Sequence, residues 1–323
     1  MVEEGAREVW SVAEEVRKKR PLLLDLLVRL VREKPLGTVG AIIVLLLLLT
    51  GIFANFLAPY SENEMTLLDR LQPPSGQYFL GTDNLGRDMF SRIIYGARIS
   101  MYVGLGAATL STIISTIIGM VSGFLGGKAD IIIQRFVDAW ICFPPLFVIL
   151  TVMAIVGPGL LQVILVLGMM QGIGGSRTVR SAVIGIKENV YVEAARSVGS
   201  PTSRILLRHI LPNIMAPVII VFTTRMGAAI LAEATISFLG FGIPPPTPSW
   251  GGMLSGAGRR YMRIAPHMAL FPGLALALVV YGINMFGDAL RDILDPRLRG
   301  GLGRYSGVKR KRAKKYLQES EAN

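Results

Sequence analysis

Side chains that could do chemistry are few in this sequence. Its 323 residues include two histidines, His209 and His267, and one cysteine, Cys142, which are too few and too widely spaced to supply a zinc site. The motifs of a phosphate-cradling loop, a serine nucleophile and a zinc protease (G-x-x-x-x-G-K-S/T, G-x-S-x-G and H-E-x-x-H) do not occur in it. We therefore predict no catalytic residue, no metal site and no cofactor bound by this chain.

Three ionisable residues fall inside long apolar segments: Asp138, Arg225 and Glu233. Charged residues at such positions normally face the interior of a helix bundle or a water-filled cavity. Arg225 and Glu233 are just over two helical turns apart, so they would share a side and are candidates for lining a pathway. The alternatives are structural pairing within the bundle, a position near the outer interface for Glu233, and a pair with Arg135 for Asp138.

The composition places these residues in a membrane protein. Hydrophobic residues make up 51% and charged residues 17% of the chain, whereas soluble domains carry roughly 25% charged residues. A transmembrane helix needs about 20 mostly apolar residues, and six segments of that kind are present. They are 37–57, 99–127, 136–155, 157–176, 209–242 and 264–287. The sequence therefore predicts an all-α integral membrane protein with six transmembrane helices.

The basic residues predict the orientation of these helices. If the N-terminus lies inside, 26 of the 34 Lys and Arg residues fall in the inner segments 1–35, 128–135, 177–208 and 288–323. The outer segments 58–98 and 243–263 carry seven. An excess of basic residues marks the cytoplasmic side, so both termini are predicted to be cytoplasmic, in the cell membrane.

The segments outside the spans define the organisation of the chain. Leu22 to Val31 follows Pro21 and predicts a short amphipathic helix in the inner interface, because Pro35 disfavours a plain extension of the first span. The run 309–315 predicts a basic tail near anionic lipid headgroups rather than a nucleic-acid site. The predicted parts are a cytoplasmic segment, 1–35; the first transmembrane helix, 36–58; an external loop with an amphipathic helix, 59–98; a five-helix core, 99–299, with a coupling loop, 177–208; and a cytoplasmic tail, 300–323.

The inner loop 177–208 predicts two short helices joined by a sharp turn. The segment 193–197 favours helix, Gly199 and Pro201 break it, and 202–210 forms a second basic and partly apolar helix. This arrangement favours a docking element for a protein partner over a solvated linker. The motif E-A-A-x-x-x-G, followed by L-P, is formed by Glu193, Ala194, Ala195, Gly199, Leu211 and Pro212.

This motif resembles the signature loop of binding-protein-dependent ABC transporter permeases, in which the loop docks on the ATPase. Three further stretches, 79–100, 248–254 and 284–299, are similar to the C-type permease subunit of dipeptide, oligopeptide and nickel importers. The resemblance implies a type I ABC importer permease fold and assigns the six motif residues to the coupling of ATPase and transport. For the charged residues at 83–98 we favour a structural role over a substrate site.

The resemblance also implies partners. A second homologous permease subunit would complete the pathway as a heterodimer, and two cytoplasmic subunits would bind ATP and Mg. An extracellular or periplasmic solute-binding protein would deliver the cargo, which is expected to be a peptide, with an oligosaccharide or nickel left open. The alternative is an ion-coupled secondary transporter, but the paired intramembrane carboxylates and inverted repeats typical of that class are not seen.

Small residues crowd the second span, and Gly119-x-x-x-Gly123 permits close approach of another helix. Two interpretations stay open at this point. The first is packing within the chain, and the second is pairing with another subunit.

Overall fold

The computed structural model describes residues 22–294, and no strand is present within that range. Numbered in chain order, its helices are α1 (Leu22–Glu33), α2 (Pro35–Ile52), α3 (Ala54–Leu57), α4 (Met89–Leu125), α5 (Gly127–Cys142), α6 (Pro145–Val156), α7 (Leu160–Lys187), α8 (Val190–Ser197), α9 (Thr202–Ile205), α10 (Met215–Phe238), α11 (Trp250–Leu254), α12 (Gly256–Arg260) and α13 (His267–Leu294). The predicted tail 300–323 and the first 21 residues lie outside the described residues.

Five helical stretches are long and apolar enough to cross a membrane, and α5 with α6 makes a sixth if that bent pair counts as one span. The five are α2, α4, α7, the stretch Thr202–Phe238 that includes α10, and α13. Each of them overlaps a segment predicted from the apolar pattern, but α4 begins at residue 89 instead of 99, and α7 continues to residue 187, into the predicted inner loop 177–208. The predicted all-α fold with six transmembrane segments is therefore confirmed.

The predicted third span, 136–155, is interrupted at Pro144 and Pro145. It consists of α5 and α6, whose axes meet at 86°. Phe143 between them has an extended backbone, with ψ 134°, because the ring of the following Pro144 disfavours the helical conformation at that residue. Pro145 then starts α6 at the first helical position, where its missing N–H costs nothing.

The fifth span also differs from the prediction, because its helical backbone begins well before residue 209. A π-helical turn, Leu206–Ile210, and a 3-10 turn, Leu211–Ile214, join α9 to α10 without a break. Pro212 explains the irregularity, since it has no N–H to donate and its ring would collide with the carbonyl of Arg208 in a regular helix. Local π and 3-10 turns relieve this conflict while keeping the segment helical.

The described residues fall into two compact units. The smaller contains 22–38 and 288–294. One residue, Lys34, separates α1 from α2, as Pro35 predicts, and its ammonium lies 2.5 Å from the carboxylate of Asp292. The position of α1 in the membrane interface stays a prediction.

The larger unit, 39–287, is built around the 37-residue helix α4, which packs along α7 and α10. A Cβ atom at Gly119 would lie 2.7 Å from the carbonyl oxygen of Ser176 and from Cβ of Val179 in α7. Gly123 faces the next turn of the same helix at Val183. The Gly119-x-x-x-Gly123 pair therefore serves packing within the chain.

The residues before α4 form a tight turn around Asp83. Its Oδ1 accepts hydrogen bonds from the N–H groups of Leu85 and Arg87, and its Oδ2 accepts one from Nε of Arg87 at 2.6 Å. Asp88 caps α4 through Ser91. Arg92, buried, lies 3.8 Å from the Asp83 carboxylate and donates to the carbonyl of Glu62. Each of these charged groups has a polar partner close to the start of α4, although Oδ1 of Asp88 is buried without a hydrogen bond partner among the described residues. These contacts support the predicted structural role.

Helix α11 holds the Met89 end of α4 through a further hydrogen bond. The buried indole of Trp250 in α11 donates to the carbonyl of Ile93 at 3.1 Å, and Ser249 caps α11 by accepting from the N–H of Gly252. In the preceding segment the hydroxyl of Tyr78 donates to Asp69, and burial together with this hydrogen bond raises the pKa of Tyr78.

We expect Asp83→Ala to destabilise the protein by about 3 kcal/mol, because it leaves two buried or half-buried guanidinium groups without their shared carboxylate. Thermal unfolding of the purified chain in detergent measures this change. Glu64→Ala, which removes an exposed carboxylate from the same segment, is the control and should change stability by less than about 0.5 kcal/mol. Equal unfolding temperatures for the two variants would contradict the structural role of Asp83.

Candidate functional site

The loop between α7 and α10 contains the predicted coupling residues. Helix α8 carries Glu193 in its first turn and ends in a turn at Gly199, whose φ is +73°. The N–H of Gly199 bonds to the carbonyl of Arg196, and the N–H of Ser200 bonds to the carbonyl of Ala195. This pair of hydrogen bonds is a Schellman motif, which requires the left-handed conformation that glycine adopts without steric cost. The predicted turn between two short helices is present.

One face of α8 is buried against neighbouring helices and the other face is exposed. Val192 is fully buried in a cluster with α4, α7 and the turns after α9. Glu193 and Ala194 are exposed, and Val190 and Val198 at the two ends of the helix are 81% and 83% exposed. An anchored helix that exposes two valines and a carboxylate favours the docking element over the solvated linker, and docking itself stays a prediction.

Arg196 connects α8 to α4. Its guanidinium lies over the ring of Phe124, 4.7 Å from the ring centroid, at the last turn of α4. A cation over an aromatic face is attracted by the ring quadrupole, with a contribution of about 0.5–1 kcal/mol at an exposed site. A cleft of about 720 Å³ opens beside this contact, lined by residues that include Glu193, Arg196 and Lys187. The sequence analysis missed this contact, because the two residues are distant in the chain.

The other motif residues are placed differently. Ala195 is half-buried behind Glu193, whereas Leu211 and Pro212 lie in the 3-10 turn that leads into α10. Leu211 packs against the cluster that holds Val192. The structure therefore brings the E-A-A-x-x-x-G residues together on α8 and its terminal turn, and it gives Leu211 and Pro212 the position of a connector to the fifth span.

Two ion pairs join α5 to α7. Arg180 forms a bidentate pair with Asp130, with Nε to Oδ1 2.7 Å and the second N–O distance 2.5 Å. Asp138 pairs with Arg177 and, at 3.5 Å, with Arg135. The predicted Asp138–Arg135 pair is confirmed, and the Asp130–Arg180 pair is one that sequence reasoning missed.

Glu233, one of the two candidates for pathway lining, is 1% exposed. Its Oε1 accepts a hydrogen bond from Ser237 at 2.6 Å, and Ser237 in turn accepts from the N–H of Ile243. Glu233 thus fixes the end of α10 to the loop that follows it. A lining role stays a prediction for this residue, with its carboxylate turned into the protein in this conformation.

Arg225, the second candidate, is half-buried in α10. It lies midway between Pro212 and Phe238, about 20 Å from each along the helix, and so near the centre of a bilayer. A charge at that depth costs at least about 2.5 kcal/mol. Among residues 22–294, no carboxylate lies within 4.0 Å of its guanidinium and no hydrogen bond partner is present. Pathway lining stays a prediction that this environment favours.

These features define a multi-pass helical membrane protein with a short, partly exposed helix between its fourth and fifth spans. Residues 115–300 match the model of the binding-protein-dependent transport system inner membrane component family, and residues 24–74 match the N-terminal transmembrane domain of oligopeptide transport permease C. The chain therefore belongs to the family of binding-protein-dependent transport system inner membrane components, as a membrane-spanning permease subunit of an ABC importer.

Relatives of known type cover most of the chain. The dipeptide transport system permease protein DppC of Alkalihalophilus pseudofirmus is 41% identical over 268 residues, which are 83% of this chain and 88% of that protein. The glutathione transport system permease protein GsiD of Escherichia coli O157:H7 is 40% identical over 270 residues, 83% of this chain and 89% of the relative.

A solved structure supports the fold independently. The MetNI methionine ABC transporter in an inward-facing conformation contains a chain that superposes with a TM-score of 0.51 at 17% identity. The match covers 64% of this chain and 98% of that chain. At this level of identity the likeness concerns the fold alone.

Proposed function

We propose that this permease forms half of a pathway that imports peptides, with ATP hydrolysed by separate subunits that dock on α8. The observation that carries the docking proposal is the shape of α8, which is anchored through Val192 and capped at Gly199, with its Glu193 face exposed. Movement of a docked ATPase would pass through Arg196 and Phe124 to the last turn of α4. Glu193, Ala194, Ala195 and Gly199 form the docking element, and Leu211 and Pro212 connect it to the fifth span.

The proposed partners follow from this role. A second, homologous permease subunit completes the pathway as a heterodimer, and two ATP-binding subunits occupy the cytoplasmic side. A solute-binding protein delivers the cargo from outside. ATP and Mg are bound by the ATPase subunits, and no cofactor is bound by this chain. The peptide cargo is supported by the relatives, two of which are named for dipeptide and for glutathione transport.

Purification and reconstitution test the proposal directly. An ABC permease subunit should copurify with a second permease and with ATP-binding subunits. In proteoliposomes that contain this assembly, a peptide presented with the binding protein should accumulate only when ATP is available to the ATPase subunits. Uptake by the chain alone under an ion gradient would contradict the proposal and favour a secondary transporter.

We further propose that both termini and α8 lie in the cytoplasm, on the strength of the basic-residue asymmetry. With cysteine at Ser200 in a Cys142→Ala background, intact cells should be labelled by a membrane-permeant thiol reagent and not by an impermeant one. Cysteine at Glu64, in the segment proposed to be outside, is the control and should react with both reagents. Labelling at position 200 by the impermeant reagent would show that this loop lies outside and would contradict the proposed topology.

A further inference from the structure

The guanidinium of Arg225, on α10, packs closely against α7 and α4 at a position where α7 has a glycine. A Cβ atom at Gly175 in α7 would lie 3.3 Å from the terminal nitrogen of Arg225 and would collide with the hydroxyl of Ser115 in α4. Of the other two charged residues predicted inside the spans, Asp138 pairs with Arg177, and Glu233 is held through its Oε1 by Ser237 while its Oε2 has no hydrogen bond partner among the described residues. Arg225 is therefore an uncompensated positive charge at mid-membrane depth.

The surface around Arg225 is not the surface of a lipid-facing helix. Within one turn of it on α10, the exposed residues are Thr224 and Ala228, and within one turn of Gly175 on α7 they are Arg177 and Thr178. On α2, by contrast, the exposed positions are large and apolar: Leu36, Val39, Ile42, Leu45, Leu46 and Leu49. Small and polar residues around an unpaired charge are typical of a water-filled passage or of a polar ligand.

The neighbouring helix is polar at the same level. Ser111, Thr112 and Thr116 lie within one turn of Ser115 on α4, and their hydroxyl groups have no hydrogen bond partner among the described residues. Buried hydroxyls in native proteins are normally satisfied. The residues around Arg225 therefore carry more polar groups than this chain alone supplies with hydrogen bond partners.

We propose that Arg225 binds the carboxylate of the cargo as it passes the middle of the membrane. This inference rests on the proposed import of peptides and narrows its substrate class to peptides with a free carboxylate. A guanidinium presents parallel N–H donors that match the two oxygens of a carboxylate. The same charge repels a free metal cation and offers a neutral oligosaccharide no charged partner, so it selects among the cargo classes that the sequence left open.

The test uses the whole assembly purified through this chain, reconstituted in proteoliposomes with its binding protein. The probes are the dipeptide Ala-Phe and the same dipeptide with an amidated C-terminus. Arg225→Gln should lower ATP-driven uptake of the free acid by about tenfold, and Arg225→Lys should lower it less. Uptake of the amide, relative to wild type, should change less than about twofold. Thr235→Ala, ten residues further along α10, where the hydroxyl donates to the carbonyl of Leu231, is the control and should leave both uptakes unchanged.

A second arm does not depend on the amide being accepted by the binding protein. Arg225→Cys in a Cys142→Ser background should lose uptake of the free acid. Reaction of the new thiol with aminoethyl methanethiosulfonate, which adds an ammonium group, should restore uptake of the free acid. Reaction with methyl methanethiosulfonate, which adds no charge, should not restore it. The Cys142→Ser parent treated with each reagent shows whether other thiols contribute.

The outcomes separate the inference from the proposed function. If the wild-type assembly accumulates no peptide with ATP, the proposed function itself fails. If wild-type uptake is normal, equal loss of both peptides in Arg225→Gln, or rescue by both thiol reagents, overturns the carboxylate site. Loss of the second permease from purified Arg225→Gln also overturns it, because the arginine would then pair with a carboxylate of that subunit.

Discussion

Replacing Gly199 with valine should abolish ATP-driven uptake while leaving the permease in the membrane. Gly199 has a φ of +73° and no atom within 4 Å of where its Cβ would lie, so the effect is one of backbone conformation and not of crowding. A β-branched residue resists this conformation at a cost of about 1–2 kcal/mol. The chain would leave the Schellman motif and redirect the exposed end of α8. Copurification of the ATPase and peptide uptake by proteoliposomes measure the loss.

The matched control at this position is Gly199→Asn, since asparagine visits the left-handed region more readily than other residues with a side chain. We expect it to retain most of the uptake. Glu193→Lys tests the charge on the same surface and should weaken ATPase binding. It replaces a carboxylate, which is favoured at the start of α8, with an ammonium group of opposite charge. Glu64→Lys, a charge reversal in the segment proposed to be outside, should leave ATPase binding unchanged. Normal ATPase binding and uptake in both Gly199→Val and Glu193→Lys would show that α8 is not the coupling element.

Replacing Gly119 with leucine should prevent the larger unit from folding stably. A Cβ atom there would lie 2.7 Å from the carbonyl oxygen of Ser176 and 2.9 Å from the amide nitrogen of Arg180. Backbone atoms cannot move aside as a side chain can, so α4 and α7 would have to separate. We expect a loss of more than about 3 kcal/mol, beyond the usual cost of overpacking. Thermal unfolding and size-exclusion profiles in detergent measure it.

Gly185 of α7 provides the control, because nothing lies within 4 Å of a Cβ atom at that position. Leucine is a better helix former than glycine, so Gly185→Leu should keep or slightly raise the unfolding temperature. Similar behaviour of the two leucine variants would mean that the α4–α7 contact is looser than the structure shows.

The parts of the fold that follow from local sequence were predicted well. Apolar length located the spans, and Gly199 with Pro201 located the turn of the docking loop, because hydropathy and turn chemistry are properties of neighbouring residues. Asp83 shows the limit of this reasoning. Asp88 and Arg92 stand four residues apart, a spacing typical of an ion pair on a helix, but Asp88 is occupied in capping α4 and the arginine lies beside Asp83. Asp83 forms the turn and Asp88 caps the helix. The spacing of the residues does not show which of these carboxylates also lies beside an arginine.

Pairings between distant helices could not be predicted. Arg196 meets Phe124 and Arg180 meets Asp130 because α4, α5 and α7 pack in a particular register, and register is decided by the fit of many side chains at once. The 86° angle between α5 and α6 could not be predicted for a similar reason. Pro144 and Pro145 predict that the helix is interrupted, whereas the direction taken by the next helix depends on what it packs against.

Helix α4 connects two distant contacts within the larger unit. Its 37 residues give a rod about 55 Å long, far longer than the roughly 30 Å of hydrocarbon it crosses. Near one end the indole of Trp250 donates to the carbonyl of Ile93, and at the other end Phe124 lies under Arg196 of α8. A tilt of about 5° around the midpoint of such a rod carries its ends about 2 Å in opposite directions. A displacement of α8 at one membrane surface would then move the far end of α4 in the opposite direction at the other surface. The conformation of α4 itself would not change.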